Sequence, residues 1–165
     1  MREELIYHGR IFDMVRIDGK WDAIKHPGAV FVVPVIDLAT SNILAIQTIR
    51  PVIGEICWEI PAGLLESNEQ PTMTAYRELL EETGYHANRI IPLGGPYYSS
   101  YGCSNEKCHF FAAMDLVKTS QLPDGEAEVV TVMNSELLME KVQSATNLLA
   151  LMLFHQAVAD GRIVN

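Results

Sequence analysis

Between Gly63 and Tyr85 lies the stretch that most limits what this chain can become. It runs Gly63, five residues, Glu69, seven residues, Arg77-Glu78-Leu79, one residue, Glu81-Glu82, one residue, Gly84-Tyr85. Its second half predicts one helix, with Pro71 in the first turn, where a missing N–H costs least, and Gly84 as the stop. At about 100° per residue, Glu78, Glu81 and Glu82 share one face, and Tyr76, Leu79, Leu80 and Thr83 share another that can meet a core. The glutamates do not serve the helix. Glu78 and Glu82 are like charges at i,i+4, a repulsion of roughly 0.2–0.5 kcal/mol. Glu81 and Glu82 occupy the last turn, where the helix dipole favours cations, at roughly 0.3–1 kcal/mol each. A solvated acidic face with Arg77 as local partner is one reading. A site that gathers hard divalent cations is the other, since clustered carboxylate oxygens are their natural ligands.

The same 23-residue run resembles the Nudix box, Gly-x5-Glu-x7-Arg-Glu-U-x-Glu-Glu-x-Gly-U with U apolar or aromatic, at every defined position. The resemblance implies hydrolysis of a nucleoside diphosphate linked to a further group, with Mg2+ held against a pyrophosphate and Mn2+ able to substitute. It implies that Glu78, Glu81 and Glu82 bind or activate the metal, and that Glu69 and Arg77 brace the loop on the helix. Gly63 is then the residue that lets the loop turn back.

Length and charge agree with one enzyme-sized core. The 165 residues, 48% hydrophobic, suit a single domain. The formal charge of −9 argues against a nucleic-acid backbone or an anionic membrane as partner. An acidic protein also repels an anionic substrate, and bound divalent cations reverse that field locally. Cys57, Cys103 and Cys108 are too few for a disulfide framework, which favours a reduced, cytoplasmic setting. No secretory h-region follows Met1, and the Leu148–Phe154 apolar run is too short to span a bilayer.

Along the chain, residues 5–17 read as two strands bent at Gly9, Asp18-Gly19-Lys20 as a turn, and Trp21–Lys25 as a third strand. This piece, residues 1–26, is too small to fold alone and needs the remainder, residues 27–165, or a second copy. Ala29–Ile36 is an apolar β-branched run, expected as a strand buried on both faces. Ile43–Ile49 and Cys57–Ile60 are further strands, the latter delivering Pro61-Ala62-Gly63. Ile90–Leu93 is extended, and Gly94-Gly95-Pro96 is expected to break the chain. Tyr97–Cys103 reads as a binding loop, Lys107–Leu116 and Val129–Met133 as strands, and Thr119–Glu128 as a polar loop. Asn134 or Ser135, then Ser144 or Thr146, can cap two final helices. The fold class is α/β, and the resemblance supplies a Nudix-type α/β/α sandwich on a mixed sheet.

Beyond the box, several segments look like those of ADP-ribose pyrophosphatases: His26-Pro27-Gly28-Ala29-Val30, Gln47-x-x-Arg50-Pro51, Glu59-Ile60-Pro61-Ala62-Gly63 and Ser104-Asn105-Glu106. This wider resemblance implies that Arg50 contacts a phosphate, that the Ala62 carbonyl joins the metal shell and that Glu106 meets substrate. It also implies a homodimer in which the N-terminal strands reach the partner. A base for the attacking water could be Glu81, or Glu126 or Glu128 of the acidic loop, where that subgroup carries a catalytic glutamate. One departure stands out: Ser100-Tyr101-Gly102 has Tyr where the subgroup usually has Pro. Tyr101 could stack on a base or simply pack, so a GDP-sugar or dinucleotide pyrophosphatase is the alternative substrate reading. A non-catalytic nucleotide-sugar sensor is the alternative from another class.

Overall fold

The computed structural model describes residues 1–123 and 127–164. Three antiparallel strands open the chain, β1 Glu3–His8, β2 Asp13–Ile17 and β3 Trp21–Lys25, in the order β1-β2-β3. The bend at Gly9 and the turn at Asp18-Gly19 fall where the sequence places them.

The rest is built on β4 Ala29–Asp37. Its side chains alternate across the sheet, as a strand's must. Val30 and Val32 pack with Ala75 and Leu79 of the helix α1 Pro71–Thr83. Phe31, Val33 and Val35 pack with Leu151 and Phe154 of the last helix, α3 Ala145–Ala159. Completely buried side chains of this size each contribute about 1.5–3 kcal/mol, so β4 is the seam of two cores. The sheet adds β5 Asn42–Arg50, β6 Glu55–Glu59, β7 Ala62–Leu64, β8 Tyr85–Tyr98, β9 Lys107–Lys118 and β10 Ala127–Asn134. Its order is β10-β5-β4-β9-β8, with β6 on β5 and β7 on β4. β4 and β9 run parallel and the other pairs antiparallel, so the mixed sheet and three-layer sandwich expected from sequence are present.

The site depends on a split in this sheet. β4 and β5 pair only at Val35 and Asp37. Farther along, Ala29–Phe31 pairs with β7 and Ile46–Arg50 pairs with β6. The β6–β7 segment therefore wedges between two diverging strands. It is pinned there by Val32 N–H donating to Pro61 O (2.9 Å) and Ile60 N–H donating to the buried Asn147 Oδ1 (2.8 Å).

α1 starts with Pro71 and ends on Gly84 at φ 73°, whose N–H donates to Leu80 O, matching both sequence signals. Asn134 caps α2 Ser135–Lys141, and Ser144 caps α3, which settles the two alternatives left by the sequence. The Gly94-Gly95-Pro96 break does not occur. β8 continues through it, absorbing the irregularity as register shifts against β9 between Pro92, Gly94 and Tyr97. Glycines at φ 156° and 94° supply the bulge without ending the ladder. Among the described residues no helix is long and apolar enough to cross a membrane.

Candidate active site

A cleft of about 690 Å³ opens where the sheet splits, a volume within the usual range for ligand sites. Its walls include Ala62 and Gly63 from β7, Arg77, Glu78 and Glu81 from α1, Arg50 from β5, and Glu106 from the loop before β9. Arg10 and Ile11, between β1 and β2, close the far side.

The acidic face of α1 is not a solvated one. Glu78 and Glu82 are 8% and 4% exposed, and Glu81 is half-buried. Glu82 Oε2 accepts the Ala62 N–H at 2.9 Å, tying the helix to the wedge. A Cβ built on Gly63 would lie 2.0 Å from the Glu78 carboxylate. Gly63 is not in a left-handed conformation. It clears room for Glu78.

Arg77 sits at the centre of these carboxylates. Its Nε and Nη2 donate to Glu69 (3.1 and 3.0 Å), and Nη2 also donates to Leu64 O at 3.0 Å. This is the expected brace of loop on helix. Nη1 donates to Glu78 Oε1 at 2.6 Å and Glu81 Oε2 at 3.0 Å. The Arg77 hydrogen bonds hold the Glu69 carboxyl down at about 2, against an ordinary 4.5, and Glu69 in turn raises the Arg77 guanidinium.

Two carboxylates thus converge on one cationic nitrogen, the geometry that hard cations also exploit. In this arrangement no three His, Cys, Asp or Glu side chains among the described residues form a metal-binding group, and Arg77 Nη1 lies between the Glu78 and Glu81 oxygens. The chemistry still fits a divalent ion: acid oxygens, half-buried, beside a glycine that leaves space. Around the cleft four glutamates (Glu66, Glu78, Glu81, Glu106) outnumber three arginines (Arg10, Arg50, Arg77). An anionic ligand therefore needs added positive charge there.

Arg50 lines the cleft as expected, yet its guanidinium is already paired: Nε donates to Glu59 Oε1 at 2.8 Å and Nη2 bonds Glu59 Oε2. Glu106 also lines the cleft. Its Oε1 lies 3.5 Å from His26 Nδ1, but that nitrogen accepts the Gly28 N–H at 3.1 Å.

Other expectations are not gathered into the cleft. Tyr101 is 87% exposed and lines no part of it. Its loop is stitched to β3 instead, by Ile24 N–H to Cys103 O (2.8 Å) and His26 N–H to Asn105 Oδ1 (2.7 Å). Glu128 is exposed at the start of β10, outside the cleft walls. Glu126 lies outside the described residues. Burial pushes the Cys108 thiol up to about 12. Sequence reasoning gave no role to Arg10, Phe31 or Glu59. For Glu59 a signal existed: a lone acid in the short strand Cys57-Trp58-Glu59-Ile60.

The family model described as NUDIX domain matches residues 25–151. An ADP-ribose pyrophosphatase of Bacillus subtilis is 35% identical over 144 residues, covering 82% of this chain and 76% of that protein. A methanol dehydrogenase activator of Bacillus methanolicus is 32% identical over 126 residues, covering 72% of this chain and 66% of that one. The crystal structure of an ADP compounds hydrolase superposes with a TM-score of 0.74 at 22% identity, covering 99% of this chain and 95% of the other, a likeness of fold. Nudix hydrolases generally need a divalent metal, which the acid-lined cleft accommodates. The box, the sheet that carries it and these likenesses agree: the chain belongs to the NUDIX domain family and is a Nudix hydrolase.

Proposed function

We propose that this chain hydrolyses the pyrophosphate bond of a nucleoside diphosphate sugar, ADP-ribose first among them, giving AMP and ribose 5-phosphate. The observation that carries this reading is the burial of Glu78 and Glu82 against Ala62-Gly63 in a cleft that also holds Arg50. A relative named ADP-ribose pyrophosphatase, aligned over most of both chains, supports the choice of substrate.

Glu78, Glu81, Glu82 and the Ala62 carbonyl are the groups that would hold Mg2+, or Mn2+ in its place. Such an ion supplies charge neutralisation at phosphate oxygens and lowers the pKa of a water. The chain's own residues do the rest. Arg50 presents a planar fork suited to a phosphate. Glu106 offers an acceptor to hydroxyls of the ligand. Among the described residues Glu81 stands on the cleft wall and Glu128 does not, and Glu81 Oε is our choice for the proton of the attacking water. Glu69 and Arg77 orient the helix face, and Arg77 holds the Glu78 and Glu81 carboxylates in place.

The assembly we propose is a homodimer in which residues 1–26 form a separate strand piece that reaches the partner. Its support is the exposure of Leu5, Ile6 and Tyr7 on β1 in the single chain. We place the protein in the cytoplasm, in keeping with three free cysteines.

A panel of nucleotide substrates, assayed for phosphate after phosphatase coupling with Mg2+ and with EDTA, tests the reading. ADP-ribose should be consumed only with metal. Glu82→Gln keeps an oxygen for the Ala62 N–H, so it should stay folded while losing at least about a hundredfold in turnover. Tight ADP-ribose binding without turnover would favour the sensor, and preference for GDP-sugars or dinucleotides the alternative hydrolase.

A further inference from the structure

Glu59 is a carboxylate sealed in the protein interior, 5% exposed, and the partner the structure gives it is Arg50. The strand register makes this pairing an unusual one. Arg50 stands opposite Glu55, whereas Glu59 stands opposite Ile46. Alternate residues share a face, so the Arg50 side chain runs back along the ladder, past the Thr48–Cys57 level, to reach it. Thr48 Oγ1 is buried there without a hydrogen bond.

The Arg50 side chain is 45% exposed, and burying a carboxylate against a half-exposed cation is a poor device for stability alone, because desolvating the carboxylate offsets much of the attraction. Its location suggests another use. Arg50 and Phe31 are walls both of the cleft and of an adjoining hollow of about 400 Å³ lined by Trp58 and Asn147. The guanidinium therefore stands at the neck between two spaces into which a long, flexible side chain could swing. Glu59 grips the Nε–Nη2 edge with both oxygens, which fixes the plane as well as the position of the fork.

We propose that Glu59 is a positioning residue: it locks Arg50 at the cleft neck so that the guanidinium meets a phosphate oxygen already ordered. The assignment rests on the nucleoside diphosphate reading of the cleft. Ordering a rotamer-rich side chain in advance removes that cost from ligand binding. The effect belongs to affinity, since Arg50 would contact the ligand's charged oxygens before and during reaction alike.

The test uses the full chain and the variants Glu59→Gln, Glu59→Asp, Arg50→Ala and the Glu59→Gln/Arg50→Ala double. Steady-state kinetics on ADP-ribose is paired with calorimetric binding of its α,β-methylene analogue, both with Mg2+. Glu59→Gln and Glu59→Asp should each raise KM and weaken analogue binding by roughly tenfold, the scale of one misplaced charge-assisted contact. Their kcat should stay within about threefold of the original. The double variant should be no worse in KM than Arg50→Ala, because Glu59 acts through Arg50. Glu59→Asp retains the charge and covers the case in which Glu59→Gln fails to fold. Folded Glu59 variants with unchanged KM and analogue affinity overturn the assignment. So do effects that add in full to those of Arg50→Ala, or a loss confined to kcat or to thermal stability. If the unaltered chain neither binds the analogue nor consumes any nucleoside diphosphate sugar, the reading of the cleft fails, and this assignment falls with it.

Discussion

At the scale of single residues, Gly63 and Glu69 carry the most testable chemistry. Gly63 is needed for space, since any Cβ would overlap the Glu78 carboxylate. Gly63→Ala should push Glu78 aside, destabilise the fold by about 1–3 kcal/mol and weaken divalent-ion affinity. Urea denaturation and a metal titration read the two effects separately. Glu69 makes the second prediction. Its folded-state carboxyl lies near 2 against 4.5 when unperturbed, because Arg77 hydrogen-bonds its charged form. A depressed acid pKa gives stability that is fully present above the unfolded value and is lost as pH falls through the folded one. The Glu69 contribution should therefore decline between about pH 4.5 and 2. In Glu69→Gln, thermal stability should be lower at neutral pH and fall less steeply across that window. Parallel curves for the two proteins would refute the linkage.

Among the elements, α1 decides the site, and its termination matters as much as its acidic face. Gly84 holds φ 73°, a left-handed conformation that side chains strain to adopt. A Cβ there would also lie 2.6 Å from the carbonyl oxygen of Gln121, a backbone atom with little room to yield. Gly84→Ala should cost more than the usual ~1 kcal/mol of a left-handed glycine replacement, measured by denaturant midpoint. Because Glu81 and Glu82 precede Gly84 by two or three residues, the same change should blunt turnover. The opposite side of the sheet gives a contrast. α3 buries Ala150, Leu151, Phe154 and Ala157 in the larger core and meets the wedge through Asn147, which holds the Ile60 N–H.

For the whole molecule, the N-terminal sheet poses a question the single chain does not answer. All six residues of β1 are exposed, Leu5, Ile6 and Tyr7 at 58%, 42% and 59% among them, and a bulge between Leu5 and Tyr7 sets these two opposite Val15 and Met14, neighbours on β2 that face opposite sides. Trp21 on β3 adds 60%. A three-stranded sheet of this size needs a covering surface. Light scattering should give the mass of two chains, and Leu5→Asp/Tyr7→Asp should give one. A monomeric parent protein well above roughly micromolar concentration, the weak end for interfaces of standard size, would rule the assembly out. Arg10 and Ile11 already line the cleft within one chain, so losing the dimer should also alter KM.

How much could be read from the sequence varies with how far the deciding contact lies along the chain. Pro71 and Gly84 set the ends of α1 because a missing N–H and a left-handed turn act within one helical turn. The Glu69–Arg77 brace was legible as well, through the fixed spacing of the box. So were the three N-terminal strands, whose turns at Gly9 and Asp18-Gly19 are local. Four features needed the tertiary structure: the Arg50–Glu59 pair, the clearance Gly63 gives Glu78, the continuation of β8 through Gly94-Gly95, and the outward Tyr101. Each depends on the register of strands distant in sequence or on what another segment covers. Local propensity does not encode such pairings; they follow from burying both faces of β4 while β5 diverges from it. The sequence by itself determined which acids share a helix face. Only the folded sheet decided that this face is buried, which arginine stands across from it, and what holds that arginine there.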